Sequence, residues 1–257
     1  MKVTMLGCGA SMGVPSVGLG WGACDPAEPR NRRRRVSLLL EARGKTILID
    51  MSPDLHDQLI DANVTRLDAI VMTHAHADHL HGIDEVRGIN RAMRAPVPLY
   101  ADAGTIREIE SRFGYALESP PQDGFFYAPC LRPIPIDGPF AAAGLPFIPF
   151  VQDHGFSTTL GFRIGAFGYS TDVTELDDTA FAVLAGIELW IVDCLRYEPH
   201  PTHSHVAKTL AWIDRVKPKR AILTHLDRPL DYRELAAQVP PGVEPGYDGL
   251  AVEVPDP

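Results

Sequence analysis

The chain has 257 residues, of which 45% are hydrophobic and 22% charged, the composition of a globular protein with room for a substantial core. Its formal net charge of −9 argues against general binding to nucleic acids or to anionic membranes. No apolar run is long enough for a membrane span or a signal-peptide core, and the four cysteines are scattered. We therefore expect a cytoplasmic protein without a disulfide framework.

Short strands and glycine-rich turns are predicted at the start of the chain. A strand at Val3 to Leu6 runs into Gly7-Cys8-Gly9-Ala10-Ser11-Met12-Gly13, which either faces a ligand or simply ends the strand. Residues 16–31 indicate an extended loop. The basic run of Arg30 and Arg32 to Arg35 indicates a solvated face, with phosphate binding as the alternative.

A hairpin and a helix follow this basic run. The apolar segments 37–41 and 46–50 flank Ala42-Arg43-Gly44-Lys45 and predict two paired strands. Ser52-Pro53 then suits the N-cap and the first position of a helix. The inner face of that helix is predicted to carry Leu55, Leu59 and Ile60.

The segment Thr73-His74-Ala75-His76-Ala77-Asp78-His79 follows the apolar run 67–72, so one turn at a strand end delivers three imidazoles and a carboxylate. A lone histidine is usually a core or surface residue. Four such side chains crowded together without a cation would leave polar groups unpaired, at about 1 to 3 kcal/mol each. Their number exceeds what one tetrahedral ion needs, so the segment predicts two divalent metal ions. Asp50, at an earlier strand end, either hydrogen-bonds a metal-binding histidine or caps a turn.

The spacing of apolar residues predicts an amphipathic helix over 80–93, then a strand at Val97 to Tyr100 and a helix near Thr105 to Phe113. Residues 115–146 are rich in proline, glycine and aromatic side chains and show no period. We expect this region to be irregular and to form a flap or an interface.

Later strands each lead to a candidate functional residue. The strand 147–151 leads to His154, and a hairpin over 159–164 and 167–170 leads to Asp172. The strand 189–194 runs toward His200-Pro201-Thr202-His203-Ser204-His205. A helix over 206–216, with Leu210 and Ile213 inward, precedes the last predicted buried strand, 220–223, which ends at Thr224-His225.

No internal repeat and no long linker divides the chain, so residues 1–257 are predicted to form a single domain. Strand pairs followed by helices occur in both halves. This order favours an α+β fold, a two-sheet sandwich with helices on the outer faces.

These residues resemble the metallo-β-lactamase superfamily, whose His-x-His-x-Asp-His signature is specific and whose later His, Asp and His follow strands in the same order. The resemblance implies an αββα sandwich of two mixed sheets, with the following ligands. His74, His76 and His154 would hold one metal ion, Asp78, His79 and His225 the other, and Asp172 would bridge the two.

Several segments resemble the phosphodiesterase branch, which includes phosphoribosyl 1,2-cyclic phosphate phosphodiesterase and, more distantly, the tRNA 3′-processing ribonuclease. They are Gly7-x-Gly9-x-Ser11-x-Gly13-x-Pro15, the arginine run, His154-Gly155, His200-Pro201-Thr202-His203 and Thr224-His225. The resemblance gives His203 the task of binding the phosphate or protonating the leaving oxygen. Its alternative reading is a residue at a helix terminus. Asp78 and His203 are the candidate catalytic residues.

The chain departs from close relatives in one respect. They hold a structural zinc with three cysteines in the loop after the glycine-rich turn and a histidine beyond the last metal ligand. Here the loop contains only Cys24, and the later position is Arg228. We expect no third zinc, and we expect the loop to depend on other contacts.

The leading interpretation is a dinuclear hydrolase that cleaves a small cyclic or linear, nucleotide- or ribose-like phosphodiester through a metal-bridging hydroxide. The metals are zinc or manganese, with iron as a further option. Hydrolysis of a thioester or lactone is the enzymatic alternative, and a metal-binding scaffold without catalysis is the non-enzymatic one. The expected partner is a small-molecule phosphodiester and neither nucleic acid nor membrane. A homodimer is one option for the oligomeric state.

Overall fold

The structure is a computed structural model that describes residues 1–117 and 130–257. Its strands, in chain order, are β1 (Lys2–Gly7), β2 (Ser37–Ala42), β3 (Lys45–Ile49), β4 (Ala69–Val71), β5 (Val97–Ala101), β6 (Leu131–Pro135), β7 (Phe140–Ala142), β8 (Leu145–Asp153), β9 (Thr158–Ile164), β10 (Phe167–Ser170), β11 (Leu189–Asp193), β12 (Arg220–Thr224), β13 (Val243–Pro245) and β14 (Ala251–Glu253). Its α-helices are α1 (Leu55–Asp61), α2 (Ala77–Leu80), α3 (Val86–Met93), α4 (Ala103–Phe113), α5 (Asp178–Leu184), α6 (Val206–Val216) and α7 (Tyr232–Gln238). Each of these helices is too short or too polar to cross a membrane.

The strands form two seven-stranded sheets, in the orders β14-β1-β2-β3-β4-β5-β6 and β13-β12-β11-β10-β9-β8-β7. Both sheets are mixed. In the first, β3 to β6 run parallel, and in the second, β10 to β13 do. The predicted sandwich of two mixed sheets with outer helices is therefore confirmed.

Alternation along the strands explains the layers. In β2, Leu38 and Leu40 point into the core between the sheets, whereas Leu39 belongs to the cluster under the helices of the first half. Since successive side chains of a strand point to opposite faces, a strand that is apolar throughout is covered on both sides. The second sheet is covered in the same way, with Trp190 of β11 packed in the outer cluster and Ile191 in the central one.

The helix predicted over 80–93 is interrupted. After α2, a 3₁₀ turn at Ile83–Glu85 leads into α3. Gly82 packs closely against the segment between β3 and α1, and an added Cβ would lie 2.0 Å from the Ser52 carbonyl oxygen. The Gly82 N–H donates a hydrogen bond to Met51 O at 2.9 Å. The segment after the histidine motif is thus fixed against the end of β3, and this contact replaces helical continuity.

The helix predicted from Ser52 begins later, at Leu55. The Ser52 carbonyl accepts from Leu55 N–H at 3.0 Å and its hydroxyl from Asp54 N–H at 3.2 Å, so Ser52 opens a turn and does not cap the helix. Leu55 and Leu59 are buried as predicted, but Ile60 is 61% exposed, and its assignment to the inner face was wrong.

The prediction of an irregular region over 115–146 was wrong for its second part, which contains β6 and β7. Within this region, residues 118–129 lie outside the described residues. Pro133 and Pro135 are the reason that β6 was not predicted, because proline is uncommon within strands. Proline is tolerated there because β6 is an edge strand. Strands β13 and β14 also follow β12, but only one residue of each is buried, so the prediction of residues 220–223 as the last buried strand is confirmed. The single-domain organisation stays a prediction.

Candidate metal centre

The sequence-predicted site residues meet at one edge of the two sheets. His74 follows β4, His154 follows β8, Asp172 follows β10 and His225 follows β12. Parallel strands present their carboxyl ends at the same edge, so residues far apart in sequence are brought together there. His76 lies at the N-cap of α2, and the first turn of that helix adds Asp78 and His79.

Besides the group of Asp193, His203 and His225, two groups of potential ligand atoms lie close enough together to hold metal ions. One consists of His74, His76, His154 and Asp172, and the other of Asp78, His79, Asp172 and His225. In each group, one nitrogen or carboxylate oxygen per residue lies within 4.8 Å of all the others. Asp172 belongs to both groups, which is the position of a carboxylate shared by two ions.

The distances around Asp172 show how the two groups meet. Its Oδ1 lies 3.8 Å from His154 Nε2 and 3.5 Å from His225 Nε2, and its Oδ2 lies 3.0 Å from His79 Nε2. The last pair is outside hydrogen-bonding geometry, since His79 Nε2 has no hydrogen-bond partner. Most of these ligand atoms thus point at common spaces without bonding one another, and the exception is the 3.3 Å hydrogen bond between His154 Nε2 and His76 Nδ1.

Buried polar atoms without partners test whether metal ions fit. The Nε2 atoms of His74, His79 and His225 are buried and lack a hydrogen-bond partner among the described residues. An unpaired buried polar group costs about 1–3 kcal/mol, and clusters of them are uncommon in native proteins. Imidazole nitrogens and carboxylate oxygens are the donors that zinc, manganese and iron accept, so the residues present fit such ions.

Hydrogen bonds behind the ligands orient the imidazole rings. The buried Asp50 carboxylate accepts from His79 Nδ1 at 2.8 Å and from both the N–H and the hydroxyl of Thr73. The Thr202 carbonyl lies 2.6 Å from His154 Nδ1. With Nδ1 donating, each ring presents Nε2 to the site, the usual arrangement behind a metal-binding histidine. Of the two readings of Asp50, the geometry favours the one in which it hydrogen-bonds a histidine.

Asp193, at the end of β11, is a site residue to which the sequence assigned no role. It is fully buried, its Oδ2 lies 3.5 Å from His203 Nδ1, and its Oδ1 lies 3.8 Å from His225 Nδ1. Ser204 N–H donates to Oδ2 at 3.0 Å. A carboxylate at a strand end directly before the histidine-rich segment was the one signal available. Asp193 Oδ1 and the Nδ1 atoms of His203 and His225 have no hydrogen-bond partner among the described residues, and these three side chains form a further group of potential ligands.

His203 lies beside the ligand cluster and does not belong to the two groups around Asp172. Its ring stacks on that of His225 with centroids 4.6 Å apart, and its Nε2 lies 4.0 Å from Asp172 Oδ1. The side chain is 12% exposed, at the wall of the cavity described below. It can therefore reach a bound molecule from the side opposite to Asp193.

Burial and neighbouring charges move the pKa values of these groups in opposite directions. Burial lowers the pKa of His74 well below its usual value, and the charge of His79 adds to this effect. Burial also lowers that of His225, but the combined effects of Asp172, Asp78 and Asp193 outweigh burial and raise the pKa to about 9. Burial would raise the pKa of Asp172, yet the charges of His225 and His79 hold it well below the usual range. The shared carboxylate thus stays ionised.

Three site residues have left-handed backbone conformations that are uncommon outside glycine. The φ angles are 63° for Asp50, 54° for Asp172 and 57° for His225. Such conformations cost about 1–3 kcal/mol each and persist where the surroundings hold them. Asp50 and His225 come directly after strands and Asp172 comes two residues after one, so the turns at these strand ends aim the side chains at the site.

A cavity of about 460 Å³ opens over the cluster and is lined by His76, Asp172, His203, Phe156 and Ser11 among others. Its size is within the roughly 300–1,000 Å³ usual for small-molecule sites. A second groove, of about 710 Å³, shares His76 and Ser157 with it and continues along α4. Of the glycine-rich turn, Ser11 lines the cavity, whereas Gly9 bridges to Arg35 and Leu226.

Most of the arginine run is paired within the protein, and phosphate binding by the run stays a prediction. Arg33 is 2% exposed, and its guanidinium donates to Leu230 O at 2.7 Å, to Asn31 Oδ1 at 3.2 Å and to Asp227 O at 3.3 Å. Arg30, Arg34 and Arg35 pair with Glu28, Asp61 and Asp54, respectively. The solvated-face interpretation holds only for Arg32, which is exposed.

The Arg33 guanidinium also explains how residues 16–31 are held. Cys24 Sγ lies 3.9 Å from Arg33 Nη1 and 3.4 Å from the carbonyl oxygens of Arg228 and Leu230. The Arg33 guanidinium therefore links the loop around Cys24 to the segment after His225. In the proteins that this chain resembles, a structural zinc links these two segments. The expected other contacts are thus hydrogen bonds of a buried arginine.

Comparison with known proteins agrees with this geometry. Residues 45–226 match the model of a family described as the beta-lactamase superfamily domain. A solved structure of a new diphosphatase from the PhnP family superposes with a TM-score of 0.91 at 33% identity, over 99% of this chain and 98% of its own.

Two curated relatives are similar over different lengths. An octanoyltransferase from Porphyromonas gingivalis is 33% identical over 97% of this chain and 51% of its own length. A ribonuclease Z from Bradyrhizobium diazoefficiens is 46% identical over 67 residues, 25% of this chain and 21% of that enzyme. The chain thus spans about half, or less, of the length of these relatives.

Proposed function

We propose a function for this chain, which belongs to the beta-lactamase superfamily. In this proposal it is a metal-dependent phosphodiesterase that hydrolyses a small cyclic or linear, nucleotide- or ribose-like phosphodiester. The observation that carries the proposal is the pair of ligand groups that share Asp172, with buried imidazole nitrogens left without partners. Buried donors of this kind are satisfied by cations, so the arrangement supports metal binding, and the substrate test below distinguishes an enzyme from a metal-binding scaffold.

The proposed ligand assignment divides seven side chains between two ions. His74, His76 and His154 would hold one, Asp78, His79 and His225 the other, and Asp172 would contact both. Two divalent ions in these positions would supply the Lewis acidity that activates water near neutral pH and neutralises charge on the phosphoryl oxygens. Zinc, manganese and iron are all compatible with this donor set.

Among the remaining side chains, His203 is the proposed proton donor or phosphate contact. Its Nε2 lies 4.0 Å from Asp172 Oδ1, its Nδ1 lies 3.5 Å from Asp193 Oδ2, and its ring is packed between those of His154 and His225. A histidine held in this way can hydrogen-bond a phosphoryl oxygen and pass a proton to the departing oxygen. Asp78, which is proposed to act with His203 in catalysis, lines the same cavity, and its Oδ2 lies 3.5 Å from His225 Nε2.

The choice of a phosphoryl centre is supported by two of the similar proteins. The structure at 33% identity is a diphosphatase, and the ribonuclease Z also cleaves phosphate linkages. The octanoyltransferase is an acyl-transfer enzyme about twice as long as this chain, so its name does not identify the activity of the matched half. The net charge of −9 also favours a small substrate over long nucleic acid, whose phosphates call for a basic surface.

A substrate panel with metal analysis tests the proposal. Protein loaded with zinc or manganese should hydrolyse bis(p-nitrophenyl) phosphate and a 2′,3′-cyclic nucleotide faster than a thioester or a lactone, since hydroxide attacks any of these centres and only the pocket selects. Removal of the metal by a chelator should abolish turnover, and its return should restore it. Turnover that persists without metal, or a preference for the lactone or thioester, would refute the phosphodiesterase assignment.

A further inference from the structure

Phe156 is exposed at the rim of the cavity that holds the candidate site. Its side chain is 94% exposed, and it has no ring contact within residues 1–117 and 130–257. Eight large hydrophobic residues are exposed in that part of the chain, and Phe156 alone among them lines this cavity. Scattered exposed hydrophobic residues need no explanation, but an aromatic ring in a cavity otherwise lined mainly by polar side chains does.

The turn that carries Phe156 is held rigidly. It connects β8 to β9, where His154 N–H donates to Ser157 O at 2.9 Å and Gly155 N–H donates to Asp153 Oδ1 at 2.7 Å. Gly155 has a φ of 73°, and a Cβ there would stand 2.6 Å from the Pro201 carbonyl oxygen. The backbone of the turn is therefore packed against the segment that carries His203, and it places Phe156 at the cavity two residues after His154.

The position of Phe156 relative to Asp172 and His203 limits what can cover it. Both of those residues are mostly buried and line the same cavity, so a molecule that reaches them passes the rim where Phe156 stands. A phosphoryl group bound near Asp172 would place its organic substituent toward that rim. An exposed aromatic face favours a planar ring, since a base stacked on an aromatic side chain gains about 1–3 kcal/mol.

We propose that Phe156 is a stacking platform for the base of a nucleoside phosphoester, and hence that the substrate class is nucleotide-like and not a simple sugar phosphate. This inference rests on the proposed function in taking the phosphoryl group as the end that binds near Asp172. Phe156 would set specificity through substrate binding, and it has no role in proton transfer.

Binding of two matched ligands to the metal-loaded protein tests the proposal. Adenosine 5′-monophosphate and ribose 5-phosphate share the phosphate and the ribose and differ by the base. In calorimetric titrations, the wild-type protein should bind the nucleotide about 5- to 150-fold more tightly, which corresponds to the roughly 1–3 kcal/mol of one stacked base. The Phe156→Ala variant should reduce this ratio to within about twofold, by weakening the nucleotide and leaving ribose 5-phosphate unchanged.

Two control variants sharpen the test. Phe156→Tyr keeps the ring and should keep the ratio. Ile60→Ala removes an apolar side chain that is also exposed, on α1, and should change neither affinity. The proposal is overturned if wild-type protein does not prefer the nucleotide, if Phe156→Ala leaves the ratio intact, or if both ligands weaken equally. It is also overturned if Phe156→Ala only converts a dimer to a monomer in sedimentation.

This test measures binding affinities, whereas the proposed function is tested by hydrolysis, so the two proposals can fail independently. A protein that binds the nucleotide in a Phe156-dependent manner but hydrolyses no phosphodiester would refute the enzymatic assignment and support the stacking platform. A protein that hydrolyses phosphodiesters, but whose preference for the nucleotide over ribose 5-phosphate is unchanged in Phe156→Ala, would support the enzymatic assignment and refute the stacking platform.

Discussion

The metal centre and the Arg33 network both bury charged or strongly polar side chains, but they satisfy them in opposite ways. At the metal centre, the Nε2 atoms of His74, His79 and His225 have no hydrogen-bond partner among the described residues. In the Arg33 network, both terminal nitrogens of the guanidinium donate to protein oxygens, and only its Nε lacks a partner.

This difference separates a binding site from a structural one. Buried polar groups with protein partners hold chain segments together, as Arg33 does for the loop of residues 16–31. Buried donors that converge without partners are stable only if a further group satisfies them, and cations do so for imidazoles and carboxylates. Mutations in the metal centre and in the Arg33 network test this difference.

The largest effect is expected for Asp172→Ala at the metal centre. Loss of the carboxylate that belongs to both groups should reduce kcat/KM at least about a thousandfold, because several kcal/mol of charge stabilisation depend on the ions. Bound metal, measured by elemental analysis, should fall as well. Asp178→Asn is the matched control, since that carboxylate is exposed and pairs with Arg215 at the surface. An Asp172→Ala protein with normal metal and activity would contradict the assignment.

On the other side of the comparison, Arg33→Met should reduce the free energy of unfolding by roughly 1.5–3 kcal/mol, because buried carbonyl oxygens would lose a charged donor. Urea denaturation of metal-loaded protein measures this. Arg32→Met is the control, and as an exposed neighbour it should change stability by less than about 0.5 kcal/mol. Equal urea midpoints for the two variants would show that the Arg33 network does not stabilise the fold.

A more selective effect is expected for His203→Gln, which removes a proton donor and leaves the two ligand groups that share Asp172 intact. Turnover of a phosphodiester with an alkoxide leaving group should fall about 100- to 10,000-fold, the usual range for loss of general acid catalysis. With p-nitrophenolate as leaving group, the loss should be smaller, since that oxygen departs without a proton. Metal content should be unchanged. Equal losses for both leaving groups would refute proton donation and leave phosphate binding as the role.

The smallest effect concerns Asp248, which links the glycine-rich turn to the arginine run. It accepts from Cys8 N–H and Arg34 N–H, and burial raises its pKa to about 6. A raised carboxyl pKa means that the native state binds more protons between about pH 4 and 6, so the free energy of unfolding falls as pH rises through this range. Relative to Asp248→Asn, the wild type should lose at most about 2 kcal/mol from pH 4 to 7, since the group is only partly buried.

Urea denaturation of both proteins across this pH range measures the difference. Parallel stability curves would show that Asp248 titrates at its usual pKa.

Local patterns predicted the fold and most of the centre. The segment from Thr73 to His79 carries four donors in one turn, and the later strand ends gave His154, Asp172 and His225. The hairpin of β2 and β3 was also recognisable, because Arg43 and Gly44 suit its two-residue turn and both have positive φ angles.

Other features depend on tertiary contacts that leave no local signal. Asp193 is one carboxylate among many until β11 and β12 bring it behind two imidazoles. The break near Gly82 comes from contact with the end of β3, and the burial of Arg33 contradicts the usual behaviour of a basic run. Phe156 sits in a hairpin turn whose function becomes apparent only when the cavity is formed.

The most direct test of the central claim is the metal stoichiometry of the purified protein after loading with zinc or manganese and removal of excess metal. The two groups that share Asp172 predict two ions per chain, and Asp172→Ala should hold fewer. Less than one ion per wild-type chain, under conditions in which the protein is folded, would contradict the account.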